Sequence, residues 1–287
     1  MRSIGKNIRE FNPTRCIIVI DGKGGSARRQ KLYPEYKDNR TGKFNLRRDM
    51  FSSEEDERAS RQKQMMRVVQ YLELLPIQLF CIDNIEADDA IAYITSNFYE
   101  KEANKIRIVS TDRDFLQLVS EKVEVYSPVK KKLYDLDAIK NEFGIHPNNY
   151  LLYRVLTGDT SDNINGIKGL GLKTLIKSFP EITEKELTVD YLYSQSQSKV
   201  KDKKIYATIA EGKQIIDRNY QLMQLHDTDI STNVKLQMVD ALRGSVTKMD
   251  RATFKKYIRE DGLQSTFANL ENWLNTTFNS LAVWSTH

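Results

Sequence analysis

Apolar and polar positions alternate with two different rhythms along this chain. Residues 16–20, Cys16-Ile17-Ile18-Val19-Ile20, form an unbroken apolar run that stops at Asp21 and a Gly-rich turn. That is the pattern of a strand buried on both faces. Residues 77–82 repeat it and reach Asp83, and Ile106-Arg107-Ile108-Val109 repeats it again before Ser110-Thr111-Asp112. Residues 123–126 make a shorter candidate strand. Helical spacing lies between these runs: Ile4, Ile8 and Phe11 ahead of the first, Met65, Val69 and Leu72 ahead of the second, residues 90–98 after it. Strands alternating with helices predict an α/β fold with a mostly parallel central sheet flanked by helices.

From about residue 141 the strand-like runs disappear, and helical segments joined by Gly- and Asn-rich turns take over. Leu263, Phe267, Leu270, Leu274 and Phe278 form a stripe that reads as a packed core face. Two stretches read as mobile: residues 38–63, dense in charge, and residues 194–204, rich in Ser, Gln and Lys and read as a surface loop. The division expected is residues 1–145 and 146–287.

Composition narrows the function. The 287 residues carry a net charge of +5, so the placement of charge matters more than its sum. No apolar run approaches a membrane span and no signal-peptide core opens the chain. The expectation is a cytoplasmic protein with no membrane partner. Cys16 and Cys81 are the only cysteines and are expected to be buried thiols. Three histidines, none spaced with a cysteine, make zinc an unsuitable metal.

Carboxylates recur where elements end. Asp21 follows the first apolar run, Glu86, Asp88 and Asp89 the second, Asp112 and Asp114 the third, and Asp159 and Asp162 follow the helical pattern 150–157. In open parallel sheets the crevice beyond the strand ends is where sites form. Carboxylates gathered there repel, and a hard divalent cation is the natural compensation. Each has a plainer reading too: Asp88 and Asp89 suit a helix dipole, and Asp112 suits a cap. A carboxylate site with two metals is one solution for phosphodiester hydrolysis, in which no side-chain general base is needed. Basic and aromatic residues sit close by: Arg28, Arg29, Lys31, Lys37 and Arg40 interleave with Tyr33 and Tyr36. That mixture suits a phosphate backbone and a stacked, unpaired base, or a solvated loop. Gly166-Ile167-Lys168-Gly169-Leu170-Gly171-Leu172-Lys173-Thr174 is a tight turn into a helix, suited to gripping a phosphate backbone without reading bases. It lacks the ending of a Walker loop and follows no strand.

Taken in order, Asp21-Gly22, Tyr33-Pro34-Glu35-Tyr36-Lys37 with Arg40, Glu86-Ala87-Asp88-Asp89, Ser110-Thr111-Asp112 with Asp114, Gly158-Asp159 with Asp162-Asn163, and the 166–174 turn resemble the 5′ nuclease superfamily of flap endonucleases and 5′–3′ exonucleases. The likeness is nearest to tailed-phage ribonuclease H. It covers about residues 16–179.

The resemblance implies a PIN-like nuclease core followed by a helix–three-turn–helix at about 150–180, and a monomer. It implies Asp21, Glu86 and Asp88 as ligands of one Mg2+, with Asp89 adjacent. Asp112, Asp114 and Asp159 would hold a second, with Asp162 outside them; Mn2+ would substitute. Lys37 and Arg40 match the catalytic basic pair at the base of a helical arch, here residues 38–63. Arg28, Arg29, Tyr33, Tyr36, Gly166, Lys168, Gly169, Gly171, Lys173 and Thr174 are the DNA-binding candidates, with K+ bound at 163–169. The implied activity is removal of RNA primers and 5′ flaps in phage DNA replication, in the host cytoplasm. The implied partners are DNA with 5′ flaps or RNA/DNA hybrids, with a single-stranded-DNA-binding protein or a sliding clamp. No clamp-binding peptide is evident in the sequence. One departure stands out. The family opens on a buried strand ending in a metal-ligand Asp, and none precedes Met1. The expectations are a late start, a split gene or a truncated product, an uncovered sheet edge, and a second functional reading: a catalytically impaired, structure-specific DNA-binding protein.

Overall fold

A computed structural model describes residues 1–40, 47–99, 105–227, 229–244 and 246–282. In chain order the elements are α1 (Arg2–Phe11), β1 (Ile17–Asp21), α2 (Ala27–Leu32), α3 (Glu54–Glu73), β2 (Gln78–Ile82), α4 (Ala87–Tyr93), β3 (Ile106–Val109), β4 (Val123–Ser127), β5 (Lys132–Tyr134) and α5 (Leu136–Phe143). There follow α6 (Tyr150–Thr157), β6 (Gly158–Asp159), β7 (Ile164–Asn165), α7 (Leu172–Ser178), α8 (Val189–Ser198), α9 (Lys204–Glu211), α10 (Lys213–Met223), α11 (Thr232–Arg243), α12 (Arg251–Glu260) and α13 (Leu270–Ala282).

The chain forms two compact units that do not follow its order. One comprises Met1–Asp21, Phe44–Ile82 and Ser231–His287; the other comprises Gly22–Lys43 and Asp83–Ile230. The division at 145/146 expected from texture is a division of sequence, whereas packing returns the C-terminal helices to the N-terminal segments. In the first unit β1 pairs with β2 in parallel, Ile17 opposite Gln78 and Asp21 opposite Ile82. Its core gathers Ile8 of α1, Tyr71 and Leu72 of α3, Phe254 and Ile258 of α12, and Leu274 and Phe278 of α13. Gly5 matters here, because a Cβ would lie 2.7 Å from the Trp273 ring. Of the C-terminal stripe Leu274 and Phe278 are buried, Phe267 and Leu270 pack against this core half-buried, and Leu263 is outside it. Leu263 precedes the helix and is exposed, because Gly262 at φ +66° turns the chain after α12.

In the second unit β3 pairs with β4 in parallel, β4 with β5 antiparallel, and β6 with β7 antiparallel. The parallel pairing expected from the apolar runs is present in both units, as separate ladders. β5 has too few apolar residues to be marked by pattern; it is fixed by its neighbour β4, which is buried throughout.

Three expectations change. The 194–204 segment is helical through Ser198 and again from Lys204. Ser196 is fully buried and its hydroxyl bonds back to Leu192 O at 2.7 Å, so a residue that favours loops sits inside a helix. Within 38–63, α3 begins at Glu54, capped by the Ser53 hydroxyl on Asp56 N–H, with four acidic residues in its first turn. Acidic side chains at that end complement the helix dipole. Residues 41–46 and the Arg40 side chain lie outside the described residues. Cys81 is exposed and Cys16 only half-buried, because a short two-stranded ladder covers one face less fully than the other. No helix among the described residues is long and apolar enough to cross a membrane.

Candidate active site and nucleic-acid surface

Two carboxylate groups lie in the second unit. The first is carried by α4. Glu86 is its N-cap, and Asp88 and Asp89 stand in its first turn. Gly25 allows the approach of the preceding loop, since a Cβ there would meet Ile85 O at 2.9 Å. That approach delivers Ser26 and α2. The Ser26 hydroxyl donates to Glu86 Oε1 at 2.6 Å, and Lys37 Nζ reaches the same oxygen at 3.0 Å. Arg29 is 3% exposed. It donates to Glu86 Oε2 at 2.6 Å, to both oxygens of Asp89 at 2.7 and 2.8 Å, and through Nε to Leu222 O at 2.8 Å. Tyr36, also buried, lies with its hydroxyl 3.3 Å from Glu86 and 3.5 Å from Asp162. Burial works against ionisation of Glu86, but Arg29, the Ser26 hydroxyl and Lys37 outweigh it and lower its pKa. Asp88 has no such balance. Burial, then Asp112, then Glu86, push it up to about 7.

The second group spans three elements. Asp112 ends the loop after β3, and its Oδ1 accepts the Asp114 N–H at 2.8 Å, opening a short 3-10 helix. The capping role read from sequence is real and leaves the other carboxylate oxygen available. Arg154 of α6 donates to Asp114 Oδ1 through Nε at 3.0 Å and Nη2 at 2.9 Å, and also to Asp159 Oδ2. Asp159 further accepts from the Ser161 N–H at 2.8 Å and hydroxyl at 2.7 Å. Asp114 is pushed up to about 6, by burial first and by Asp112 and Asp159, with Arg154 opposing. At Asp159 burial opposes ionisation, but the Ser161 hydroxyl and Arg154 prevail and its pKa is lowered. Asp88, Asp114 and Asp162 line one narrow cavity with Arg29 and Tyr36, so the two groups share a floor.

As they stand, no three acidic, histidine or cysteine side chains among the described residues are grouped to hold a metal ion. Arg29, Lys37 and Arg154 are hydrogen-bonded to Glu86, Asp89, Asp114 and Asp159. The donor chemistry nonetheless fits a hard cation. All the candidates are carboxylate oxygens, and Asp88 carries repulsion from two neighbours that Lys37 and Arg29 only partly offset. Asp21 belongs to the first unit, where it closes β1 and is exposed.

Several sequence candidates take other places. Arg29 and Tyr36, expected on the DNA, are interior and occupied with Glu86, Asp89 and Asp162. A buried ring cannot stack on a base, and a guanidinium committed to carboxylates and a backbone carbonyl is not free to take a phosphate. Tyr33 is half-buried, with the Arg218 guanidinium 4.4 Å from its ring centre and its hydroxyl on Glu35 at 2.7 Å. Arg28 stays partly exposed, 3.5 Å from Asp89. Sequence reasoning missed Arg154 and Arg218. The signal for Arg154 was its place on α6, inside the apolar run that leads to Asp159.

The turn after α6 is built on backbone proximity. Gly158 has φ +75°, and a Cβ would lie 2.4 Å from both Gly166 N and Ile164 O. Ile167 and Leu170 are buried, while Lys168, Gly169, Gly171 and Lys173 are exposed or half-buried and Thr174 is partly covered. Nothing lies within 4 Å of a Cβ at Gly169 or Gly171, so the backbone there faces open space. Asn163 donates to Glu35 O at 2.8 Å, and Lys37 N–H donates to Asp162 O at 3.0 Å. The turn and the Tyr36-Lys37 segment are thereby joined.

Comparison with known proteins places the chain in a family and a fold. Residues 1–144 match the family described as 5′-3′ exonuclease, N-terminal resolvase-like domain, and residues 145–247 match 5′-3′ exonuclease, C-terminal SAM fold. A 5′-3′ exonuclease of Aquifex aeolicus is 31% identical over 61% of this chain and 55% of its own length. One from Buchnera aphidicola is 26% identical over 90% of this chain and 84% of its own. T5 5′-exonuclease, solved with divalent metal ions (zinc) bound, shares the fold at TM-score 0.63 and 20% identity, over 90% of this chain and 87% of that one. A bacteriophage T5 flap endonuclease, solved as a pseudo-enzyme-product complex with DNA and metal ions, gives 0.62 at 20% identity, over 90% and 87%. With both family regions matched in order, the chain belongs to the 5′-3′ exonuclease family of nucleases.

Proposed function

We propose that this protein hydrolyses phosphodiester bonds near 5′ ends of DNA, in the 5′–3′ direction, with Mg2+ as cofactor and 5′ flaps and RNA primers as substrates. The observation that carries this reading is the cavity that Asp88, Asp114 and Asp162 line together, with Asp112 and Glu86 crowding Asp88 and Asp112 and Asp159 crowding Asp114. Glu86 and Asp88 are the ligands suggested for one ion, and Asp112, Asp114 and Asp159 for a second, with Asp162 outside. When bound, the ions supply a water of lowered pKa and a positive field for the leaving oxygen.

The chain's own side chains do the rest. Lys37 places an ammonium at the edge of this floor, 3.0 Å from Glu86 and 4.7 Å from the Tyr36 ring centre. Its charge serves where negative charge develops on the scissile phosphate. Lys168 and Lys173, with the bare backbone at Gly169 and Gly171, suit a duplex phosphate chain. K+ at 163–169, a protein partner in phage replication and a monomeric state are parts of the same reading.

A 5′-flap duplex incubated with the purified protein and Mg2+ tests it. The expected result is a short 5′ product that EDTA abolishes. A second reading, DNA binding without cleavage, is favoured by Arg29, Lys37 and Arg154, which already occupy carboxylate oxygens in both groups. Flap affinity that falls steeply with salt, with no cleavage at any Mg2+ concentration, would select it and defeat the first.

A further inference from the structure

The two resident guanidinium groups differ in what holds them. Arg29 is locked: its Nε is bonded to Leu222 O, its fork grips both oxygens of Asp89, and it is 3% exposed. Arg154 is held by carboxylates alone. Its hydrogen bonds go to Asp114 and Asp159, and its side chain is 16% exposed. A helix residue tethered only at its tip can swing away when its acceptors find another cation, whereas Arg29 cannot move without also leaving a backbone carbonyl unpaired.

We propose that Arg154 is a displaceable counter-ion: it joins Asp114 to Asp159 while no metal is bound and competes with a divalent cation for those carboxylates. The inference rests on the metal-binding reading above and adds a residue that sets affinity. Charge and distance carry it. Both nitrogens that reach Asp114 share one oxygen, and one of them also serves Asp159. A dication at the same oxygens meets a full positive charge within a few ångströms, in a partly buried place where screening is weak. The guanidinium therefore lowers metal affinity and, in return, keeps the acidic pair from repelling itself apart. Arg154 is a positioning residue in this role.

Calorimetric titration of the DNA-free protein with Mn2+ tests the competition, with the melting temperature in EDTA as a second reading. Arg154→Gln is expected to bind at least one Mn2+ about tenfold more tightly than the parent, equivalent to about 1.4 kcal/mol. It is also expected to melt lower in EDTA and to gain more from added Mn2+. Arg154→Lys is expected to fall between the two. Unchanged or weaker Mn2+ affinity in a folded Arg154→Gln would overturn the proposal. If that variant does not fold, the Nε signal of Arg154 in the 15N-labelled parent decides. Movement on adding Mg2+ supports displacement, and a fixed signal overturns it. Absence of any metal binding in the parent would instead defeat the functional reading on which this rests.

Discussion

The carboxylates around Glu86 and those around Asp114 have similar composition and unlike support. Around Glu86, the counter-charge is built into the fold. Arg29 arrives on α2 and is anchored on a backbone carbonyl, and Lys37 and Ser26 complete the set. Around Asp114, a single arginine spans two acids and is held by them alone. Buried charge needs a partner in either case. The difference decides whether that partner belongs to the folded core or can be exchanged for a ligand. Within the first group Asp88 is the exception. Lys37 and Arg29 act on it only through space, and its raised pKa reports the strain.

The largest effect is expected from removing an acid that no cation among the described residues holds. Asp112→Asn is expected to lower single-turnover cleavage of a 5′ flap more than about a thousandfold, the scale of a lost metal ligand. DNA affinity, read by fluorescence anisotropy, should stay close to the parent because a repulsive charge has gone. Faster metal-dependent turnover would remove Asp112 from the site. Arg29→Gln addresses the anchored group. Among the described residues it leaves Asp89 with only Arg28 at 3.5 Å and removes one of the partners of Glu86, and urea unfolding should show a loss of about 3–5 kcal/mol, the cost of breaking a buried ion pair. A loss under about 1 kcal/mol, the range of an exposed pair, would show that Arg29 is no anchor.

Lys37→Ala is expected to act on the chemical step, with a drop of about a hundredfold in single-turnover rate and little change in affinity. A purely affinity-based defect would give Lys37 a tracking role. The smallest effect concerns pH. Asp88, at about 7, and Asp114, at about 6, lie above the ordinary value of 3.8, so the native state holds their protons more tightly than the unfolded chain. Their contribution to metal-free stability is complete below about pH 4 and is lost as pH rises towards 6 and 7. Glu86 and Asp159, both lowered, act oppositely and lose their contribution only as pH falls below their ordinary values. Melting temperature in EDTA should therefore decline from pH 5 to pH 7, and Asp88→Asn should flatten that decline. A parent protein that gains stability over the interval would contradict the crowding at Asp88.

Much of this plan could be read from residue order. The four apolar runs are the strands β1 to β4 within a residue or two, because short stretches rich in β-branched and aromatic residues suit a covered sheet. Gly166 marked the turn, since no other residue tolerates backbone atoms closer than 3 Å to its Cβ position. Local capping by Asp112 was equally visible, because it spans only two residues. What sequence could not apportion was charge between segments far apart in the chain. Arg29 reads as one more basic residue in a basic stretch until Glu86, 57 residues on, is brought to it at the start of α4.

Residue order alone carries the alternation of strand and helix, the positions of the acids at element ends and the tight glycine turn, because each is set by neighbours within a few residues. Only the tertiary structure decided which cations those acids keep. Ion pairing depends on distance in space and on burial, and the strongest pairs here join residues with no local relation. It alone turned Arg29 and Tyr36 from surface candidates into the interior of the site, and gave Arg154 a role that no motif marked.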